Sequence, residues 1–430
     1  MLEVWCNKMT KSSAISGFYK FTPKERLSKV KEFADLTDEE STILANTGAL
    51  SMDVADRMIE NVVGSFPIPL GIAVNFQINS KDYLVPMAIE EPSVVAAASY
   101  AAKMVRDSGG FHTSSTTPVM IGQIQAVGIK DPYAARQRVL GAKAEILKKA
   151  NDQDPLLNSF GGGAKDLEAK VIRTTQGDML IAELYVDCRD AMGANAVNTM
   201  AEAVAPMIEM LTGGKVYLRI ITNLAVKRLA RAWCLVQKET VGGEAVVDGI
   251  VNASAFAAAD PYRGTTHNKG AMNGIIAVVV ATGNDHRAIE AGGHAYAVKN
   301  GAYTTLSQWE KNSNGDLVGS IELPMAVGLI GGAVKTHPTA KVCMKILNVK
   351  SATEFAEVLA AVGLAQNLGA LRALASEGIQ RGHMSLHARN IAVQAGATGV
   401  LVDQVAERMV KERKVRVDRA QEIIKELSTL

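Results

Sequence analysis

Between Pro118 and Thr222 the apolar residues change period in a fixed order, and that order leaves the segment few ways to fold. Val119 to Ile129 reads as a strand, with Gln123 and Gln125 alternating with apolar neighbours. Tyr133 to Ala150 has helical composition and ends in Lys148-Lys149, cations that suit a helix C-terminus. Two strand-like runs follow, Leu167 to Arg173 and Met179 to Asp187, joined by a turn at Gln176-Gly177-Asp178. A long helix, Ala191 to Leu211, is closed by Gly213-Gly214, and a last strand covers Lys215 to Ile221. Strand, helix, strand, strand, helix, strand is the split βαβ order of a ferredoxin-like domain, expected over residues 118–222.

A chain of 430 residues is too long for one ordinary core. The flanking segments, 1–117 and 223–375, are expected to form one mostly helical large domain around a central sheet segment. Residues 376–430 read as a small, mobile helical C-terminal domain, rich in Glu, Arg and Lys with apolar residues at helical spacing, and punctuated on its approach by Gly378, Gly382 and Gly396. The fold class is α+β. Two helix starts are explicit: Thr22-Pro23-Lys24-Glu25 offers a cap, a proline at the first position and a capping-box glutamate, and Thr37-Asp38-Glu39-Glu40 repeats the box. Residues 66–89 read as extended segments around the turn Asn79-Ser80-Lys81-Asp82, followed by an Ala-rich helix, Val94 to Val105. Helices are also expected over Ala225 to Leu235, Gly243 to Ala259 and Ser351 to Ala375, with a Gly-rich strand region at Gly328, Gly331 and Gly332.

Charge and composition exclude several function classes. The net charge of +2, with no run of Lys or Arg, lacks the footprint of a nucleic-acid binder. Apolar runs such as Ile275 to Ala281 fall far short of the ~20 residues of a membrane span. Met1 to Cys6 has neither a basic nor an apolar leader region, and Cys6, Cys188, Cys234 and Cys343 are isolated, so a cytoplasmic protein with reduced thiols is expected.

Chemistry-bearing residues gather in a few segments. Asp260 to Gly274 packs Arg263, His267, Lys269, Asn268 and Asn273 into a polar stretch between two apolar ones. It reads as a loop in which Lys269 faces an oxyanion, or as a solvated turn. Glu90-Glu91-Pro92-Ser93 places carboxylates at a helix start, either as dipole compensation or as an acid catalyst. Asp285, in Thr282-Gly283-Asn284-Asp285, is a turn former or a partner in a network with Lys269. No G-x-G-x-x-G follows a strand and no P-loop is present. The nearest substitute is Asp190-Ala191-Met192-Gly193-Ala194-Asn195, whose small residues would admit a pyrophosphate to backbone N–H groups; otherwise it is a tight turn with Asp190 as helix cap. His383 and His387 lack a third ligand for zinc, so the pair reads as offering a general acid that works near neutral pH, or as surface histidines, and no metal is expected.

Taken together, these segments resemble hydroxymethylglutaryl-CoA reductases of the soluble, bacterial and archaeal class. The similar blocks are Glu60-Asn61-Val62-Val63-Gly64, Glu90-Glu91-Pro92-Ser93, Asp190 to Asn195, residues 260–274, Thr282 to Asp285 and Gly382-His383-Met384. The resemblance implies reduction of 3-hydroxy-3-methylglutaryl-CoA to mevalonate and CoA by two reduced nicotinamides. It implies an oxyanion-stabilising role for Lys269, proton delivery to the aldehyde oxygen by Glu91, an organising role for Asp285, and protonation of the departing CoA thiolate by His383. Arg263, Ser93 and Asn273 match substrate-holding positions, and Asn223 matches a support for the lysine. Residues 118–222 match a non-Rossmann dinucleotide domain, with Asp190, Met192, Gly193, Ala194 and Asn195 at the cofactor. Asp154 matches the position that accepts a hydrogen bond from the adenosine ribose in NADH-preferring members; NADH is therefore expected, with Lys148 and Lys149 leaving room for NADPH. The resemblance also implies a homodimer or higher even oligomer with active sites at the subunit interface. Two other readings stay open: a catalytically silent CoA-ester-binding or regulatory protein of the same fold, and a zinc hydrolase on His383 and His387.

Overall fold

The helix Ala352–Ala375 is the spine of the protein, 24 residues begun by Ser351, whose hydroxyl accepts from Glu354 N. The computed structural model describes residues 11–376 and 379–428, the side chains of residues 379–386 and Ser428 excepted. This helix is long and apolar enough to cross a membrane, but 67% of its most apolar window is buried among other elements of the fold, which makes it a core helix. Phe355, Leu359, Val362, Leu364 and Leu368 along it are fully buried.

In chain order the strands are β1 (Leu70–Ile78), β2 (Lys81–Ala88), β3 (His112–Ser115), β4 (Val119–Val127), β5 (Gly163–Thr174), β6 (Gly177–Asp187), β7 (Lys215–Ile221), β8 (Leu229–Val236), β9 (Val298–Lys299), β10 (Ala302–Tyr303), β11 (Ser307–Lys311) and β12 (Leu317–Pro324). β1 and β2 form a hairpin whose turn residues, Asn79 and Ser80, both have positive φ, the turn geometry that matches strand twist. An antiparallel sheet in the order β11-β12-β8-β3 packs against the spine. β4 to β7 form the second four-stranded sheet, in the order β5-β6-β4-β7 with every neighbour antiparallel. One helical layer packs on it, made of Pro132–Gly141 with Lys143–Asn151 and, beside them, Ala194–Thr212. That is the ferredoxin-like sandwich the sequence predicts.

Five expectations need correction. Ala225 to Leu235 is not helical: Leu229–Val236 is β8, and its buried residues alternate at Ala230, Ala232, Cys234 and Val236. Alanine, leucine and arginine favour helices locally, but the period-2 burial between β12 and β3 decides the outcome. Residues 260–274 are not a loop but the first two-thirds of a helix, Pro261–Ala281. The helix after β6 starts at Ala194 rather than Ala191, with Gly193 and not Asp190 in the cap position. The glycines at 328, 331 and 332 follow the end of β12 and lie outside any strand; Gly332 opens the short helix Gly332–Thr336. The predicted helix over 133–150 is interrupted at Ala142.

The two capping boxes are present as read, with Thr22 and Glu25 closing one helix start and Thr37 and Glu40 the other. At the C-terminal end, the helices Ile379–Gln394, Val400–Lys411 and Val417–Ser428 share an apolar cluster of their own, including Ala388, Ala392, Val405, Met409 and Ile423. Arg419 ties the last two of these helices together through Glu412.

Candidate active site

Lys269 stands on the helix Pro261–Ala281 because Asp260 caps it, accepting from Arg263 N at 2.8 Å, and Pro261 occupies the first position with its φ already helical. Residues four apart share a helix face, so Lys269 and Asn273 point the same way. Both reach Glu91: Lys269 Nζ donates to Glu91 Oε2 at 3.2 Å and Asn273 Nδ2 to the same oxygen at 3.4 Å. Glu91 lies between β2 and the helix Val94–Arg106, where Ser93 holds the cap position. The lysine side chain is 58% exposed and the glutamate 33%, so the pair adds little to stability. Its consequence is placement: an ammonium, a carboxyl group and an amide converge where one substrate oxygen can meet all three.

Both helices are set by the spine. Gly274 faces Gln366 so closely that a methyl group on it would sit 2.9 Å from Gln366 Cβ, and one on Gly369 would sit 3.1 Å from Ala97 O. Two residues before Lys269, His267 is 2% exposed. Its Nε2 lies 2.7 Å from Ser307 Oγ and 3.2 Å from Asn367 Nδ2, while Asn367 Oδ1 accepts from Ser307 Oγ and Trp309 Nε1. Nδ1 is buried without a partner among the described residues. Burial, and then the nearby Arg263 cation, push the imidazole down to about 4, so it is neutral and structural. Burial also lowers Arg263, which stays a cation on the inner side of the same helix.

A cleft of about 700 Å³ opens beside the second sheet, lined by Asp154, Met192, Gly193, Asn195, Asp285 and Gly331 among others. Its size suits a nucleotide-sized ligand. Gly193 has φ +111, and a Cβ there would lie 2.4 Å from Cys188 Sγ, so only glycine permits this turn into the Ala194–Thr212 helix. The first amides of that helix have no intrahelical acceptors, and its first residues line the cleft, an arrangement that fits a pyrophosphate. Asp154 lines the same cleft while its Oδ1 accepts from Leu157 N at 2.8 Å, so it is both turn former and cleft residue.

Asp285 caps the helix His286–Tyr296, accepting from Arg287 N and Ala288 N, and also takes Arg287 Nε at 3.2 Å. Burial raises its carboxyl, but the Arg287 and backbone hydrogen bonds prevail and hold it below the usual range. Lys269 pairs with Glu91 and Asp285 with Arg287. Asp190 turns its carboxylate to Ala352 N at 2.8 Å, the first amide of the spine, and offers its carbonyl to Leu329 N. Asn223 is exposed beyond β7. His387 is exposed, and the side chain of His383, on the helix Ile379–Gln394, lies outside the described residues. Cys6 lies outside them too, while Cys188, Cys234 and Cys343 are buried free thiols. No group of three or more potential metal ligands occurs among the described residues.

Arg228 carries no sequence signal that singles it out, while Asn284 and His267 fall in marked segments without a role of their own being read for them. Arg228 is 4% exposed and donates to three backbone carbonyls around the cleft. Asn284 accepts from Gly328 N at 2.8 Å, and His267 forms the network above.

Comparison with known proteins comes to the same place. The family model described as hydroxymethylglutaryl-coenzyme A reductase matches residues 22–388. A 3-hydroxy-3-methylglutaryl-coenzyme A reductase of Archaeoglobus fulgidus is 62% identical over 97% of this chain and 95% of its own length. A probable reductase of the same name from Borreliella burgdorferi is 36% identical over 85% and 84%. Among solved structures, the class II 3-hydroxy-3-methylglutaryl-CoA reductase of Streptococcus pneumoniae, bound to NADPH in open conformations, superimposes with a TM-score of 0.81 at 40% identity, covering 95% of this chain and all (100%) of that one.

Proposed function

Because the chain belongs to the hydroxymethylglutaryl-coenzyme A reductase family, with the fold of its class II members and so the activity of an NAD(P)H-dependent oxidoreductase, we propose how its residues divide the work. The reaction converts 3-hydroxy-3-methylglutaryl-CoA to mevalonate and CoA, or runs in reverse. The observation that carries the assignment is the convergence of Lys269, Asn273 and Glu91 within 3.2–3.4 Å on elements anchored to one spine.

A bound reduced nicotinamide supplies the hydride for each of the two reductions. Lys269 holds its ammonium where the thioester oxygen, and later the aldehyde oxygen, gathers negative charge; one such fixed donor is worth ~3–4 kcal/mol at the transition state. Glu91 delivers the proton to the aldehyde oxygen. Asp285, held here by its helix cap and Arg287 at the edge of the cleft, is assigned the organising of Lys269 and Glu91. His383 protonates the CoA thiolate, which leaves more readily as a thiol. Arg263, Ser93 and Asn273 hold the carboxylate end of the substrate, and Asn223 supports the lysine from the end of β7. Met192 to Asn195, at the wall of the cleft, would hold the pyrophosphate of the cofactor on their amides. Asp190 acts there through the loop's shape, since its carboxylate is engaged by Ala352 N.

Asp154 directs the choice of cofactor. A carboxylate at the cleft edge accepts from ribose hydroxyls and repels the additional phosphate of NADPH. NADH is the preferred reductant on this reading, although the Streptococcus pneumoniae relative was solved with NADPH. The working unit is a homodimer or higher even oligomer with active sites at the interface. Exposed apolar side chains at Ile59, Val63 and Phe66, in and beside the Glu60 to Gly64 block, support such a contact.

Absorbance at ~340 nm tests the reading when enzyme, CoA ester and reduced cofactor are mixed with and without chelator. A chelator-insensitive decrease, faster in kcat/KM for NADH than for NADPH, is the expected result. A flat trace would leave the silent CoA-ester binder, chelator-sensitive turnover would revive a metal enzyme, and an NADPH preference would remove Asp154 from its role.

A further inference from the structure

Arg228 is the most deeply buried cation among those described at the cleft, 4% exposed, and no carboxylate among the described residues lies within ion-pair distance of it. Its guanidinium is spent on main chain. Nη1 donates to Ala191 O and Met192 O, each at 3.0 Å, and Nη2 donates to Val327 O at 2.5 Å. Burial lowers it to about 10, with Asp187 and Asp190 pulling the other way, so the charge persists at neutral pH. A buried charge without a carboxylate is expensive unless its donors are met. The three carbonyls meet them, and they belong to two different segments of the cleft wall.

The geometry has two effects. In a trans peptide the carbonyl and the next amide point in opposite directions. Drawing the carbonyls of Ala191 and Met192 onto Arg228 therefore turns the amides of Met192 and Gly193 away from it. It also joins the 190–193 loop to the segment leading into Gly328, whose N–H donates to Asn284 Oδ1 at 2.8 Å, one residue before Asp285. Leu329 N donates back to Asp190 O at 2.8 Å. Gly328 lies so near Met192 N that a Cβ on it would be 2.6 Å away.

We propose that Arg228 is a positioning residue for the reduction: it fixes the 190–193 loop against the 327–328 segment and, through Asn284, sets that loop at a defined distance from Asp285. This rests on reading the cleft as the nicotinamide site. The link between cofactor loop and catalytic carboxylate runs through backbone groups held by two side chains, Arg228 at one end and Asn284 at the other. Lysine cannot replace it, because an ammonium is a point donor without the planar fork that spans two segments.

Steady-state kinetics on the purified full-length enzyme test the proposal with Arg228→Lys. The KM for reduced cofactor should rise by about tenfold or more while the KM for the CoA ester stays within about twofold. Unchanged cofactor KM, or parallel loss on both substrates with a lowered melting temperature, overturns it. Ala194→Trp, which fills the cleft, separates the two levels of the claim. If Ala194→Trp raises the cofactor KM and Arg228→Lys does not, the positioning role fails alone. If Ala194→Trp leaves cofactor KM unchanged, the cleft is not the nicotinamide site and both fall. Should Arg228→Lys not fold, Asn284→Ala tests the other end of the link; the same selective rise, by about threefold, supports the proposal, and its absence overturns it.

Discussion

Acidifying the protein should loosen the lysine-bearing helix through a residue that takes no part in the chemistry. His267 is held neutral, its imidazole pushed down to about 4 from 6.5 by burial and by Arg263, and protonation would make donors of both ring nitrogens, with no acceptor for Nδ1 among the described residues and the amide donor Asn367 Nδ2 facing Nε2. In the unfolded chain the same histidine protonates near 6.5. Between those two values the unfolded state binds a proton that the folded state refuses, so stability falls as pH drops through the window and levels off below about 4. The full effect is about 3 kcal/mol, and about 2 kcal/mol of it should have appeared by a pH of about 5. The assay is urea unfolding of wild type and His267→Gln at pH of about 7.5 and about 5, comparing the two differences so that other titrating groups cancel. The variant should be less stable at neutral pH, having lost the Ser307 and Asn367 contacts, but should give up about 2 kcal/mol less on acidification. Parallel pH dependence in the two proteins, or a His267 imidazole that titrates near 6.5 by NMR, would refute the reasoning.

Three further outcomes are expected. Lys269→Ala should retain less than about a tenth of wild-type turnover, at least ~1.4 kcal/mol of transition-state stabilisation lost, while CoA-ester affinity measured by calorimetry holds. His383→Gln should slow reduction of the thioester far more than reduction of free mevaldehyde, because only the first expels a thiolate; equal losses would move the role to another group. Gly193→Ala should destabilise the protein by ~1–3 kcal/mol, since φ is +111 and the new methyl group meets Cys188, and it should raise the cofactor KM; a denaturation midpoint equal to wild type would contradict the turn geometry.

What the sequence disclosed follows the range of the interactions involved. The capping boxes at Thr22 and Thr37 are completed within three residues, and they are where the pattern places them. The six-element order of residues 118–222 survives because each element carries its own period. Residues 260–274 looked like a loop because three glycines and a mixed polar run conceal a helix. The cap and first-position proline at Asp260-Pro261 went unread, and the reason for Gly274 lies at Gln366, far along the chain. β8 was misread because its local composition favours a helix while its burial alternates only in the presence of its neighbours. Lys269 and Glu91 stand in polar segments that the residues themselves mark, while their division of roles, and Asp154 altogether, came from the resemblance. Arg228 was marked by nothing: its partners are main-chain carbonyls, which leave no imprint on residue identity.

The spine's two close contacts act on the active site as the pivots of a pair of callipers. One jaw carries Lys269 and rests at Gly274; the other carries Glu91 ahead of its helix and rests where Ala97 meets Gly369. The gap between ammonium and carboxyl group is therefore written in the bulk of residues that never touch substrate. A lineage of such proteins can retune that gap by fractions of an ångström, through single methyl groups at the pivots, while every reacting side chain remains the same.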